Sequence, residues 1–256
     1  MKSRSQEIGK YAEEFQKSDP FNHVVIDNFL DDRIADALAS RFPGPNEVAW
    51  WMYDNPLERK YAFDRVNELD TTFVEVFEYF NSSDFIDQLK SLSGLGSLIC
   101  DPALRGGGLH MIGKGGKLDV HEDFNIHKDL RALRKLNLIL YLNKDWKEDW
   151  GGHLEMWSSD MTRLHRSVLP VHNRAVIFRT DQNSNHGHPH PLSCPEGEFR
   201  QSLAVYYYEP VDSIENLEYK STNYKKLPGE GNDLDELREK RRLGRLEDRI
   251  KSEGIS

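Results

Sequence analysis

The run Arg134-Lys135-Leu136-Asn137-Leu138-Ile139-Leu140-Tyr141-Leu142-Asn143 decides the fold. Its leucines recur every second residue, so in an extended chain they share one face, while Asn137, Ile139 and Tyr141 share the other. An apolar outer face and a partly polar inner face suit the wall of a barrel whose lumen binds something polar. The same period of two runs through 98–101, 108–113, 117–121, 152–157, 166–170, 174–179 and 199–209, with Gly, Pro, Asn and Asp between the segments. Eight short strands preceded by helices predict a mainly β fold with flanking α, a sandwich or jelly roll with helices packed on one sheet.

The first hundred residues are mostly helical, with one or two strands. Ile8, Tyr11, Ala12 and Phe15 are spaced for a helix over 6–16, and His23-Val24-Val25-Ile26-Asp27 reads as a strand. Asp31 or Asp32 caps a helix with Ile34, Ala35, Leu38 and Phe42 on its stripe, closed by Pro43. Two more are predicted near 71–80 and 84–92. Trp50, Trp51, Met52 and Tyr53 form an aromatic cluster assigned to core packing ahead of a substrate lid. After Pro210 the composition turns polar. Residues 233–253 predict a charged helix with Leu234, Leu237, Leu243, Leu246 and Ile250 on a partial stripe, docked on the body or on a second subunit as a homodimer. The domain expectation is an N-terminal helical extension over 1–22, a jelly roll over 23–210, and a polar linker with the charged helix over 211–256.

The bulk numbers narrow the function. The chain has 256 residues and a formal charge of −9, with no basic stripe of the kind a nucleic-acid binder presents. Cys100 and Cys194 cannot build a disulfide framework and fit a reducing compartment. The first twenty residues lack a signal-peptide core, and nothing approaches eighteen consecutive apolar residues. The expectation is a soluble cytoplasmic protein with neither nucleic acid nor membrane as partner.

Chemistry concentrates in three places. His121 and Asp123 are two apart and project to one side of a strand; His186 follows 65 positions after His121. Two imidazoles and one carboxylate can occupy one face of an octahedral metal and leave the other open, the donor pattern of non-haem Fe(II) oxygenases. His188 and His190 share the parity of His186; the His-Gly step and the spacing to Arg200 favour His186. Arg200 and Ser202 lie on one face of an otherwise apolar strand with Ala204, Tyr206 and Tyr208, and a buried guanidinium needs a partner. A carboxylate ligand would satisfy both. His23, His110, His127, His153, His165 and His172 read as surface, supporting or satisfied core residues. Gly106-Gly107-Gly108 lacks the Lys-Ser/Thr of a phosphate loop and reads as a close approach between strands.

These features together resemble the 2-oxoglutarate/Fe(II)-dependent dioxygenases of the prolyl-4-hydroxylase-like group. The resemblance covers roughly residues 20–210. It rests on Val24-Val25-Ile26-Asp27-Asn28-Phe29-Leu30, Gly115 to Asp123, Leu140-Tyr141-Leu142-Asn143, Gly151-Gly152-His153-Leu154-Glu155, and His186-Gly187-His188-Pro189 leading to Arg200-Gln201-Ser202-Leu203-Ala204-Val205-Tyr206-Tyr207. It implies a double-stranded β-helix (cupin-like jelly-roll) core, with Fe(II), 2-oxoglutarate and O2 as cofactor and co-substrates. By similarity His121, Asp123 and His186 would be the iron ligands. Arg200 would pair with the distal carboxylate of 2-oxoglutarate, assisted by Tyr141 and Ser202, with Asn137 beside the co-substrate. Two positions depart from the pattern: Leu118 stands where many relatives have tyrosine, and Asn137 where they often have threonine. The implied reaction hydroxylates an unactivated C–H of a peptidyl proline or a small molecule, releasing succinate and CO2. Related halogenases carry Gly or Ala at the position of Asp123, so the carboxylate argues for hydroxylation. The acidic chain gives a slight preference for neutral or cationic substrates, through steering alone. The rivals are a catalytically silent jelly roll that binds a ligand or partner, and a cupin-like metalloenzyme without the keto acid, which would leave Arg200 and Ser202 unexplained.

Overall fold

The computed structural model describes residues 4–243 and 250–251. The helices are α1 (Ala12–Lys17), α2 (Asp32–Ser40), α3 (Thr71–Phe80), α4 (Ser83–Ser93) and α5 (Asp235–Arg242). The first ten strands are β1 (His23–Ile26), β2 (Trp51–Asn55), β3 (Glu58–Phe63), β4 (Ile99–Cys100), β5 (Gly108–Ile112), β6 (Lys117–Glu122), β7 (Ile126–His127), β8 (Ala132–Tyr141), β9 (Leu154–Trp157) and β10 (Leu164–Val168). Five more complete the set: β11 (Arg174–Arg179), β12 (His186–His188), β13 (Arg200–Pro210), β14 (Asn223–Tyr224) and β15 (Ile250–Lys251). One continuous path, β1-β11-β8-β13-β5-β3-β6-β12-β9-β10, curls round so that its two halves face each other. This is the expected mainly β jelly roll with helices on one side.

The two faces of β8 sort as their parity predicts. Leu136, Leu138, Leu140 and Leu142 join Phe29, Phe73, Phe80 and Phe85 in the large core under the helices. Ile139 and Tyr141 pack inward with Phe21, Met156, Val176 and Phe178. Each of those phenylalanines contributes roughly 1.5–3 kcal/mol by leaving water. The caps also follow the sequence: the side chain of Asp31 accepts a hydrogen bond from Arg33 N, and that of Asp70 from Thr72 N.

Three expectations change. The first helix opens as a 3₁₀ segment over Arg4–Tyr11 before turning α. The aromatic cluster splits: Trp50 is fully buried against Phe42 and Phe63, while Trp51, Met52 and Tyr53 start a β2–β3 hairpin unforeseen in the sequence. The C-terminal helix ends at Arg242, and Ile250–Lys251 pairs with β2 instead of continuing it; Leu246 lies outside the described residues. Leu243 is exposed, whereas Arg238 and Arg241 are buried and hold α5 to the body through Asp119 and Glu58.

Candidate metal centre

Antiparallel register brings the distant histidines together. β12 pairs with β6 so that His186 faces His121 across the ladder, their rings 4.6 Å apart between centroids. Asp123, one residue beyond the end of β6, turns back between them. His121 Nε2 lies 3.5 Å from Asp123 Oδ1, and His186 Nε2 lies 3.6 Å from Asp123 Oδ2. One ligand atom from each of the three falls within 4.8 Å of the others. All three side chains are at most a tenth exposed.

The tautomers are fixed from behind. His121 Nδ1 sits 2.9 Å from the Asp119 carbonyl and His186 Nδ1 sits 2.8 Å from the Ser184 carbonyl. A carbonyl only accepts, so Nδ1 donates in both rings and each neutral imidazole keeps a lone pair on Nε2. Burial, followed by the neighbouring His121, pushes the pKa of His186 down to about 4, which favours that neutral form. Phe178 stands edge-on to the His186 ring and Tyr224 lies against that of His121.

Asp123 is held by two residues of β8. Asn137 Nδ2 donates to Asp123 Oδ2 at 2.8 Å, Arg134 Nη2 lies 3.1 Å from the same oxygen, and Arg134 Nε donates to Asn137 Oδ1 at 2.9 Å. The guanidinium stacks on Tyr206, 3.5 Å from the ring centroid. Burial alone would raise the carboxyl's pKa; Arg134 and the two histidines outweigh it and hold it well below the ordinary carboxylate range. Sequence reading missed Arg134 because its parity puts it with the leucines. A bulge between the Tyr207/Leu136 and Tyr208/Arg134 pairs reverses that parity and turns Arg134 inward beside Asn137. Asn137 therefore sits with Asp123 rather than with Arg200.

A cavity of about 350 Å³ opens onto the three side chains, and Arg200, Ser202, His110 and His188 line it. Arg200 Nε donates to the Gly152 carbonyl at 2.8 Å and Nη2 donates to the Tyr141 hydroxyl at 3.1 Å. Tyr141 is fully buried behind the guanidinium and fixes it from outside the cavity wall. Gly152 allows this contact: a Cβ there would lie 3.0 Å from Arg200 Cδ, and its φ is +74°. Of the competing histidines, His190 is largely exposed, and His188 is buried with neither ring nitrogen hydrogen-bonded. Neither joins the cluster of His121, Asp123 and His186. Three other histidines lie beside local carboxylates, His127 with Asp101, His153 with Glu148 and His172 with Asp36.

Two free Nε2 lone pairs, an ionised carboxylate, and a buried arginine in one jelly-roll lumen fit an octahedral Fe(II) with open positions. That donor set is the one non-haem iron oxygenases use. Residues 107–208 match the model of the 2OG-Fe(II) oxygenase superfamily, a family whose members use Fe(II), 2-oxoglutarate and O2. The chain is 24% identical over 196 residues to mouse prolyl 3-hydroxylase OGFOD1, covering 75% of this chain and 33% of the mouse protein. The match thus spans about a third of that relative's length. Among solved structures, a Trichoplax adhaerens prolyl hydroxylase in complex with a hypoxia-inducible-factor peptide superposes with a TM-score of 0.56 at 16% identity, over 80% of this chain and 90% of that one. A Pseudomonas putida prolyl-4-hydroxylase gives 0.53 at 16% identity, over 80% and 99%. These two likenesses bear on the fold. No described helix is long and apolar enough to cross a membrane.

Proposed function

We propose that the protein is a 2-oxoglutarate- and Fe(II)-dependent hydroxylase, with His121, Asp123 and His186 as the iron ligands and Arg200 as the anchor for the keto acid's distal carboxylate. The observation that carries this reading is the convergence of one ligand atom from each of the three residues in a buried cavity that Arg200 also lines. When bound, iron with 2-oxoglutarate and O2 supplies an oxidant able to break an unactivated C–H, with succinate and CO2 released. The chain's own task is positioning. Tyr141 and the Gly152 carbonyl orient the guanidinium as a fork, Ser202 offers a hydroxyl beside it, and Arg134 with Asn137 keeps Asp123 ionised and turned inward. The apolar walls of Leu118, Ile139 and Leu154 limit water around the reacting centre. A peptidyl proline is the substrate class that the mouse relative favours, and a small molecule is the second.

Succinate release from 2-oxoglutarate, measured with and without Fe(II), tests the proposal. Asp123→Ala is expected to abolish it, and Arg200→Ala to raise the 2-oxoglutarate concentration required at least tenfold. Iron-independent succinate release would overturn the iron assignment, an unchanged requirement in Arg200→Ala would remove Arg200 from the keto-acid site, and no release at all would return the protein to the silent-jelly-roll reading.

A further inference from the structure

The cavity has the opposite electrical character to the chain. Acidic residues outnumber basic ones overall, 43 to 34. Yet Lys60, Arg105, Lys128, Arg134, Arg200 and Arg241 line the cavity against two carboxylates, Glu58 and Asp123. Asp123 is taken up by Arg134 and the histidines. Glu58 is shared between Lys60, at 3.2 Å, and Arg241. Among the described residues the Arg105 guanidinium reaches only the exposed Asp129, at 3.4 Å, a pair that water screens. Lys128 has no carboxylate partner among the described residues; its ammonium lies 4.7 Å above the Tyr219 ring. Lys60 lies over Tyr53 in the same way, at 4.8 Å. An Fe(II) ion and a doubly ionised keto acid cancel each other's charge, so a loaded site keeps this positive excess.

The half-buried His110 lies in the same surroundings. Burial and then the charge of Lys60 push the pKa of His110 down to about 3. The preference for neutral or cationic substrates drawn from the net charge of −9 is therefore reversed locally. Charges more than about 10 Å away are screened at ordinary ionic strength, and those lining a concave site are focused by its walls.

We infer that the substrate is anionic, a polypeptide segment whose aspartates or glutamates flank the oxidised residue and settle on the exposed Arg105 and Lys128 at the cavity mouth. This rests on the reading of the cavity as the oxygenase site. The two cations come from separate segments, the turn before β5 and the turn after β7, so a chain with several carboxylates engages them better than one compact acid.

The test is calorimetric binding to the full chain loaded with Mn(II) and 2-oxoglutarate. The probes are three short proline peptides, flanked by Asp and Glu, by Ser or by Lys, together with N-acetyl-Asp-Pro-amide. The acidic peptide should bind about tenfold or more tightly than the lysine peptide, with the gap narrowing as salt rises. Lys128→Glu and Arg105→Glu should each shrink that preference, while Lys90→Glu on the far helix α4 should not; thermal denaturation checks that each variant is folded. Equal binding of acidic and lysine peptides, including no binding of either, overturns the inference. So does a preference that survives both reversals. Equal affinity for the capped dipeptide overturns the polypeptide source. Succinate release by the iron-loaded wild type without peptide separates the two levels, since its absence defeats the oxygenase reading whatever the peptides do.

Discussion

Asn137 shows how much one side chain can govern at the residue scale. Its amide nitrogen donates to Asp123 and its oxygen accepts from Arg134, so it joins a buried carboxylate to a buried guanidinium. Replacing it by leucine leaves Arg134 Nε without an acceptor and frees the carboxylate to rotate. Loss of such a bond costs about 1–3 kcal/mol, and loss of a residue that orients a ligand lowers metal affinity by roughly 10–100-fold. Asn137→Leu should therefore show both a lower denaturant midpoint and weaker Co(II) binding by spectroscopic titration. Unchanged Co(II) affinity would mean that Asp123 needs no orientation from β8. The grouping of His121, Asp123 and His186 in one cavity with Arg200 was legible in the sequence because their residue types and spacing set them apart. Arg134 was not. A bulge is set by how two strands twist together, and the period of two holds only until one occurs.

The pairing of β12 with β6 decides the site at the element scale. Gly187 sits between the two histidines of β12, and a Cβ there would lie 2.8 Å from the carbonyl oxygens of both Leu118 and Asp119 on β6. Backbone cannot yield as a flexible side chain can. Gly187→Ala should push β12 away from β6, separate His186 from His121, and cut Co(II) affinity by more than tenfold. Gly96→Ala, with nothing within 4 Å of its Cβ, is the control and should bind metal normally. Full metal affinity in Gly187→Ala would show that the ladder tolerates a wider gap. The glycine run before β5 behaves alike: a Cβ on Gly107 would meet the Ala204 carbonyl and one on Gly108 the Phe63 carbonyl. That close approach was readable from composition. The β2–β3 hairpin was not, because Trp51-Met52-Tyr53 followed by a charged second strand lacks the apolar alternation that marks a half-buried pair.

At the scale of the whole molecule, the segment after the jelly roll returns to close the cavity. β14 pairs with the end of β6 so that Tyr224 covers His121, and α5 is fixed by buried arginines to Asp119 and Glu58. Polar composition alone suggested a linker and a separate helix; the ion pairs that anchor it join residues far apart in the chain, which no local pattern reveals. Glu58 gives this closure a pH dependence. Burial would raise its pKa, but Lys60 and Arg241 lower it below the usual value. A carboxylate with a depressed folded-state pKa stabilises the fold fully above the unfolded value of about 4.3 and loses that contribution as pH falls through the folded value. Glu58→Gln, which leaves two buried cations without their counter-charge, should cost roughly 3–5 kcal/mol at pH 7. Melting curves of the two proteins should draw together below about pH 4. A constant gap across that range would show that the ion pairs do not hold the C-terminal segment.

The chemistry of the cavity depends on where the metal binds. An anaerobic crystal structure with Fe(II) and 2-oxoglutarate should show one ion held by Nε2 of His121, Nε2 of His186 and a carboxylate oxygen of Asp123, with the keto acid's far carboxylate on Arg200. An ion bound instead through His188, or outside this cavity, or a keto acid remote from Arg200, would contradict it.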